Sequence, residues 1–166
     1  MNITEEIGPA AMNEKMILIR LIHPSEAGVL TQIALNAKRF WGYPEHWIEL
    51  WKPQLTFDAE YFQANESWAA DVDGQPVAFY TLLDKDGVAW LENLWVMPEY
   101  IGKGIGRMLF LHGMELAQLR GYKIFQLEAD PNAATFYEKM GMYKIAERRY
   151  ELEGQLRILP LMEMKL

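Results

Sequence analysis

The sequence has no cysteine among its 166 residues. That excludes disulfides, thiolate metal sites and any cysteine nucleophile that could carry an acyl group. It also lacks a positive excess: 16 Lys and Arg stand against 23 Asp and Glu, a formal net charge of −7. Generic nucleic-acid binding rests on basic surface and is not expected here, whereas cationic or neutral small partners are mildly favoured. No apolar run reaches the ~18 residues of a membrane-spanning helix. The opening "MNITEEIGPAAMNEK" lacks the apolar stretch of a signal peptide. The histidines His23, His46 and His112 are isolated in sequence, and no metal site is expected. The expected location is the cytoplasm, with neither membrane nor nucleic acid as a partner.

What is present is a globular composition: 51% of residues are apolar and six are tryptophan, enough for one domain with a sizeable core. Residues 1–14 read as a loose tail and 15–166 as a single domain. "MILIRLIH" (Met16–His23) alternates as a strand does. A helix follows, with Ser25 as its expected N-cap and Val29, Ile33, Leu35 and Ala37 as its apolar positions. "FWGYP" breaks it. "EHWIELW" reads as a short helix ended by Pro53, and "TFDAEYFQAN" as another. Three strands, "SWAADV", "QPVAFYTLLD" and "VAWLENLWV", are joined by turns at Asp73-Gly74 and Lys85–Gly87. A glycine-rich loop then leads into a helix to about Arg120, with Gly121 just past its end. Next come a strand "YKIFQLEA", a helix from Pro131 to Gly141, and two strands joined around Glu153-Gly154. The order β, helices, βββ, α, β, α, ββ describes a mixed α/β fold, neither a purely parallel sheet nor a sandwich.

The loop "MPEYIGKGIGRML" places Gly102, Gly104 and Gly106 at alternate positions before a helix. Free amides at a helix start, with glycines that let a ligand approach the backbone, make an anion site. A Walker P-loop is excluded, because Lys103 precedes Gly104 and Ile105 stands where a hydroxyl is needed. A dinucleotide fingerprint fits poorly: position 107 is Arg107 rather than glycine, "MPEYI" is too long for the tight turn, and the preceding strand belongs to a meander. Glu128, about 20 residues on, does match its acidic position. A plain surface loop remains the simplest alternative.

The stretches "ENLWVMPEYIGKGIGRMLF" and "EADPNAATFYEKMGMYKI", at this separation, resemble the GCN5-related N-acetyltransferases, and the element order is similar from Met16 to the C-terminus. The resemblance implies that family's fold: a central mixed, mostly antiparallel sheet of about seven strands flanked by helices. It implies acetyl-CoA as co-substrate, its pyrophosphate over the amides of Gly102, Lys103, Gly104, Ile105, Gly106 and Arg107, with Lys103 and Arg107 adding charge. Ile101 departs from the family's Arg or Gln. The backbone of Leu94, Trp95 and Val96 would hold the pantetheine arm like an added strand. Asn132 and Phe136 match coenzyme-contacting positions. Asn132 equally suits a helix cap or first-turn position, and Phe136 suits packing. Family members often pair, and the two late strands would serve a homodimer.

Acetyl transfer to an amine needs a base for the amine, a donor for the carbonyl oxygen and an acid for the departing thiolate. Tyr137 matches the family's tyrosine, the proposed acid; a phenol stays protonated at neutral pH. Glu92 is the candidate base, the plainer alternative being a salt bridge or an exposed strand position. It lies mid-strand on the side of Trp90 and Leu94, and a carboxylate buried on such an apolar face has a raised pKa, which suits a base near neutrality. Trp41, Tyr43 and Trp47, with Tyr80 on strand "QPVAFYTLLD", are the candidate acceptor wall, since aromatic faces can hold a cation; plain hydrophobic packing is the equal alternative. The expected function is direct N-acetyl transfer from acetyl-CoA to a primary amine of a small molecule or peptide. The alternatives are a non-catalytic coenzyme-A-binding sensor or interaction module and, from the poorer motif match, a nicotinamide-dinucleotide binder.

Overall fold

The structure is a computed structural model that describes residues 15–166. The expected tail over 1–14 lies outside the described residues. Seven strands, β1 (Ile17–Leu21), β2 (Ser67–Val72), β3 (Gln75–Lys85), β4 (Val88–Val96), β5 (Ile124–Glu128), β6 (Tyr143–Leu152) and β7 (Gln155–Lys165), form one sheet in the order β1-β2-β3-β4-β5-β7-β6. The helices are α1 (Ala27–Phe40), α2 (Glu45–Leu55), α3 (Ala59–Ala64), α4 (Ile105–Leu119) and α5 (Ala134–Lys139). The described strand pairs are antiparallel except β4 with β5, which is parallel. Among the described residues no helix is long and apolar enough to cross a membrane.

Three hairpins share one turn chemistry. Asp73-Gly74, Asp86-Gly87 and Glu153-Gly154 all have positive φ at both residues, between 49° and 82°. Turns of this hand match the twist of the strands they join, which is why an acidic residue followed by glycine recurs there. Two positions in the helices differ from the sequence expectation. Ser25 does not cap α1. Pro24 opens a 3₁₀ turn, so the cap falls on His23, whose ring accepts from the Ser25 N–H while the His23 backbone N–H donates to the Glu26 carboxylate (2.8 Å). Pro53 does not end α2, which runs on to Leu55. In the last turn a proline forfeits one backbone bond while its fixed φ remains helical, and Trp51 and Leu55 are both buried.

The chain packs as two compact units: one reaches to Thr81 and includes Leu94–Leu109, the other comprises Leu82–Asn93 and Phe110–Leu166. In the first, Leu30, Ile33, Ala34 and Ala37 follow the i, i+3, i+4, i+7 spacing of α1 and are all buried, whereas Val29 is 42% exposed. The inward stripe therefore runs one residue later than Val29 suggested. Phe79 on β3 packs edge-on against Phe57 and Phe62. Arg20 on β1 makes paired hydrogen bonds to Asp71 on β2 and to Glu26 ahead of α1, at 2.6–3.0 Å. In the second unit Phe110 of α4 packs edge-on against Phe125 of β5, and Leu127 and Met162 are fully buried with them.

Candidate active site

The glycine turn lies in the first unit. β4 ends at Val96, and a 3₁₀ turn, Pro98–Tyr100, begins at once because Pro98 presets its φ. The Ile101 N–H donates to the Pro98 carbonyl (3.2 Å) and that of Lys103 to the Tyr100 carbonyl (3.4 Å). Gly102 and Gly104 then take φ of 77° and 86°, a region that side-chain-bearing residues enter at a cost. A Cβ at either glycine would meet no atom within 4 Å. Their role is thus conformational, and the space over the turn is open, which fits a ligand held by backbone amides. α4 begins at Ile105, whose side chain is buried (1% exposed) and pins the first turn; only its amide is available outward. The first-turn amides of a helix have no intrahelical acceptor and carry its positive dipole end. Lys103 and Arg107 are exposed beside them, and Lys103 Nζ stands 5.4 Å from the Tyr100 ring.

The aromatic segment after α1 is also in the first unit. Tyr43, Trp47 and Trp51 form a cluster with ring centroids 5.0–6.1 Å apart. Trp47 and Trp51 are buried, Tyr43 is half-buried, and Trp41 packs on Phe40 instead. The cation over this cluster is the chain's own. Lys38 Nζ lies 4.4 Å from the Trp51 ring and 4.9 Å from that of Tyr43. Sequence reasoning missed Lys38 and Trp51, although both fall within one or two turns of residues it named. Tyr80 is wholly buried, so its side chain serves core packing.

Tyr137 belongs to the second unit. Asp130 caps the turn before α5, accepting from the Asn132 N–H (2.9 Å) and side-chain amide (3.0 Å). Asn132 is therefore a first-turn residue, one of the local readings the sequence allowed, and Asp130 is the cap. Tyr137 is 8% exposed and packs between Phe136 (5.1 Å) and Phe110 (6.0 Å). Burial, helped by the Asp130 charge, pushes its phenol well above the usual tyrosine range. Among the described residues its hydroxyl makes no hydrogen bond, so its proton is not committed elsewhere.

Glu92 is in the second unit too, and it is exposed and ion-paired, the plainer of the two readings the sequence allowed. On β4 the alternation buries Ala89, Leu91 and Asn93 and leaves Glu92 outside, its side chain 40% exposed. Trp90 on the same face does not bury it; its indole N–H donates to Glu92 Oε2 at 2.6 Å. Lys85 Nζ donates to the same oxygen at 3.1 Å and sits 3.8 Å from the Trp90 ring centroid. Lys85 was hidden in the sequence because it reads as a turn residue; only the hairpin returns it to Glu92. β4 and β5 pair in the described register only at Ala89–Phe125 and Trp90–Gln126. Leu94, Trp95 and Val96, beyond that pairing, are half-buried.

Comparison with known proteins agrees with the sequence resemblance. The profile of the acetyltransferase (GNAT) family matches residues 32–142, and the chain belongs to that family. An uncharacterized N-acetyltransferase of Methanocaldococcus jannaschii is 29% identical over 101 residues, 55% of this chain and 43% of that relative, so the match spans less than half of the relative's length. Among solved structures, a GCN5-related N-acetyltransferase from Rhodopseudomonas palustris superposes with a TM-score of 0.77 at 24% identity, covering 97% of this chain and 98% of the other. The PaiA N-acetyltransferase of Thermoplasma acidophilum, solved with coenzyme A, gives 0.71 at 22% identity, covering 90% and 99%. The ribosomal-protein-S18-alanine N-acetyltransferase of Escherichia coli gives 0.70 at 20% identity, covering 90% and 94%. At these identities the structural likeness establishes the fold.

Proposed function

We propose that this protein moves an acetyl group directly from acetyl-CoA to a primary amine of a small molecule or peptide. The observation that carries the proposal is the turn at Gly102 and Gly104, bent by positive φ and open above, at the start of α4 in a chain of the GNAT family. The amides of residues 102–107 would hold the pyrophosphate, with Lys103 and Arg107 alongside, and the backbone of Leu94–Val96 would hold the pantetheine arm. Acetyl-CoA supplies an acyl group activated as a thioester. Glu92 takes a proton from the acceptor's ammonium, directly or through one water, which frees the lone pair. As the new N–C bond forms and the C–S bond breaks, Tyr137 gives its proton to the departing sulfur. The second proton leaving the nitrogen, passed through solvent, restores the phenol, and Glu92 gives its proton to water, so one proton is set free per turnover. Without cysteine there is no thiol to carry an acyl-enzyme, in keeping with direct transfer.

Acetylation of an amine panel tests this: an aminoglycoside, a polyamine, free amino acids and a peptide with a free N-terminus, read by thiol release from acetyl-CoA. Turnover on at least one amine, lost in Tyr137→Phe, is expected. Coenzyme A binding without turnover on any amine favours the non-catalytic module instead.

A further inference from the structure

A single exposed glutamate is a poor candidate for accurate proton transfer. Its side chain has several rotamers of similar energy, and ordering it costs conformational entropy. Glu92 does not stand alone. The Trp90 N–H (2.6 Å) and the Lys85 ammonium (3.1 Å) both donate to Oε2, and among the described residues Oε1 accepts no hydrogen bond. Lys85 is in turn laid on the Trp90 ring, 3.8 Å from its centroid. The three side chains constrain one another. The indole seats the ammonium by cation–π attraction, and two donors fix the orientation of one carboxylate.

We infer that Lys85 and Trp90 are positioning residues that hold Glu92 by Oε2 and reserve Oε1 as the oxygen that accepts the acceptor's proton. This rests on the proposed function and assigns roles to two residues outside the family resemblance. An exposed ion pair by itself contributes little to stability. A bond made to one oxygen only, with a neutral donor beside the charged one, serves orientation better than it serves stability. Orientation matters because misplacement of a reacting group by a fraction of an ångström lowers the rate steeply.

The test uses the full-length protein and the best acceptor of the amine panel. Trp90→Phe keeps an aromatic ring for Lys85 but removes the N–H together with the rest of the pyrrole ring; Lys85→Met removes the charge; Lys85→Arg restores a cationic donor. Trp90→Phe and Lys85→Met are each expected to lower kcat roughly five- to tenfold, with KM for acetyl-CoA and Tm unchanged, and Lys85→Arg to recover most of the loss. Unchanged or raised kcat in both, while Glu92→Gln is slow, overturns the positioning role and leaves the base intact. Full activity in Glu92→Gln overturns the base assignment itself, and the inference with it. A readout independent of turnover is the Trp90 indole N–H proton resonance. It should move upfield in Glu92→Gln as the short bond to Oε2 weakens, and a resonance that stays in place overturns the clamp.

Discussion

Tyr137 and Glu92 belong to the same unit and have opposite surroundings. Tyr137 is 8% exposed, enclosed by Phe136 and Phe110, and its hydroxyl makes no hydrogen bond among the described residues. Glu92 is 40% exposed and held by two donors on one oxygen. The contrast matches what each group is proposed to do. An acid that must keep its proton until a thiolate appears gains from burial, because low dielectric penalises the phenolate. A base that must exchange protons with a soluble amine gains from contact with water, and then needs direction. On the proposed roles, one site would control a proton by excluding solvent, the other by orienting a group that solvent reaches.

The largest expected effect breaks the buried side. Tyr137→Phe fills the same aromatic space without the hydroxyl, so folding and coenzyme A binding should persist while kcat falls about 10²–10³-fold, the usual range for a lost general acid. Steady-state kinetics with calorimetric titration of coenzyme A checks it; a variant that retains its rate removes the acid role. Glu92→Gln should cost less, roughly 10–100-fold in kcat, because water reaches an exposed site and can partly replace the carboxylate. If Glu92→Gln proves slower than Tyr137→Phe, the contrast between a sheltered acid and a solvated base is the wrong way to divide the work.

The two regions were unequally legible in the sequence. Tyr137 could be placed on a helix because "PNAATFYEKMG" carries its own boundaries, Pro131 at the start and Gly141 at the end, while its role came from the family resemblance. The glycine turn was legible for the same reason. The surroundings of Glu92 were not. Alternation along β4 set it beside Trp90 and Leu94 correctly, but whether that face is covered depends on which segments pack over it, a non-local fact. Lys85 reaches Glu92 only through a hairpin, and Lys38 reaches Trp51 only because α1 and α2 fold together. The seven strands, by contrast, followed from alternation and from acidic residue–glycine turns, which act over a few residues.

A smaller effect separates holding the co-substrate from reacting with it. Gly104→Ala places a Cβ on a residue at φ 86°, a strain of roughly 1–2 kcal/mol. If the turn must keep this shape to present its amides, the Kd for coenzyme A should rise about tenfold while kcat at saturation is retained. A variant with lower Tm and unchanged Kd shows that the glycine serves the fold alone.

The smallest expected effect compares two clamps built from the same chemistry. Arg20 binds Asp71 and Glu26 with side-chain exposures of 29%, 9% and 20%, more sheltered than the Lys85–Glu92 pair at 46% and 40%. The Arg20 hydrogen bonds hold the Glu26 carboxyl below its ordinary value of 4.5, against the opposing effect of burial and with help from the His23 N–H. A carboxyl depressed in the folded state contributes stability above its unfolded pKa and loses it as pH falls through the folded one. Wild-type stability should therefore decline on acidification below about pH 5. Arg20→Met should be less stable by about 1–3 kcal/mol near neutrality, between the values for exposed and buried pairs, and its decline with acid should be shallower. Lys85→Met should leave the urea midpoint where it was, since the exposed pair is argued to orient rather than to stabilise. If Lys85→Met destabilises as much as Arg20→Met, then the Glu92 clamp is a structural strut, and the reason for assigning it to catalysis is gone.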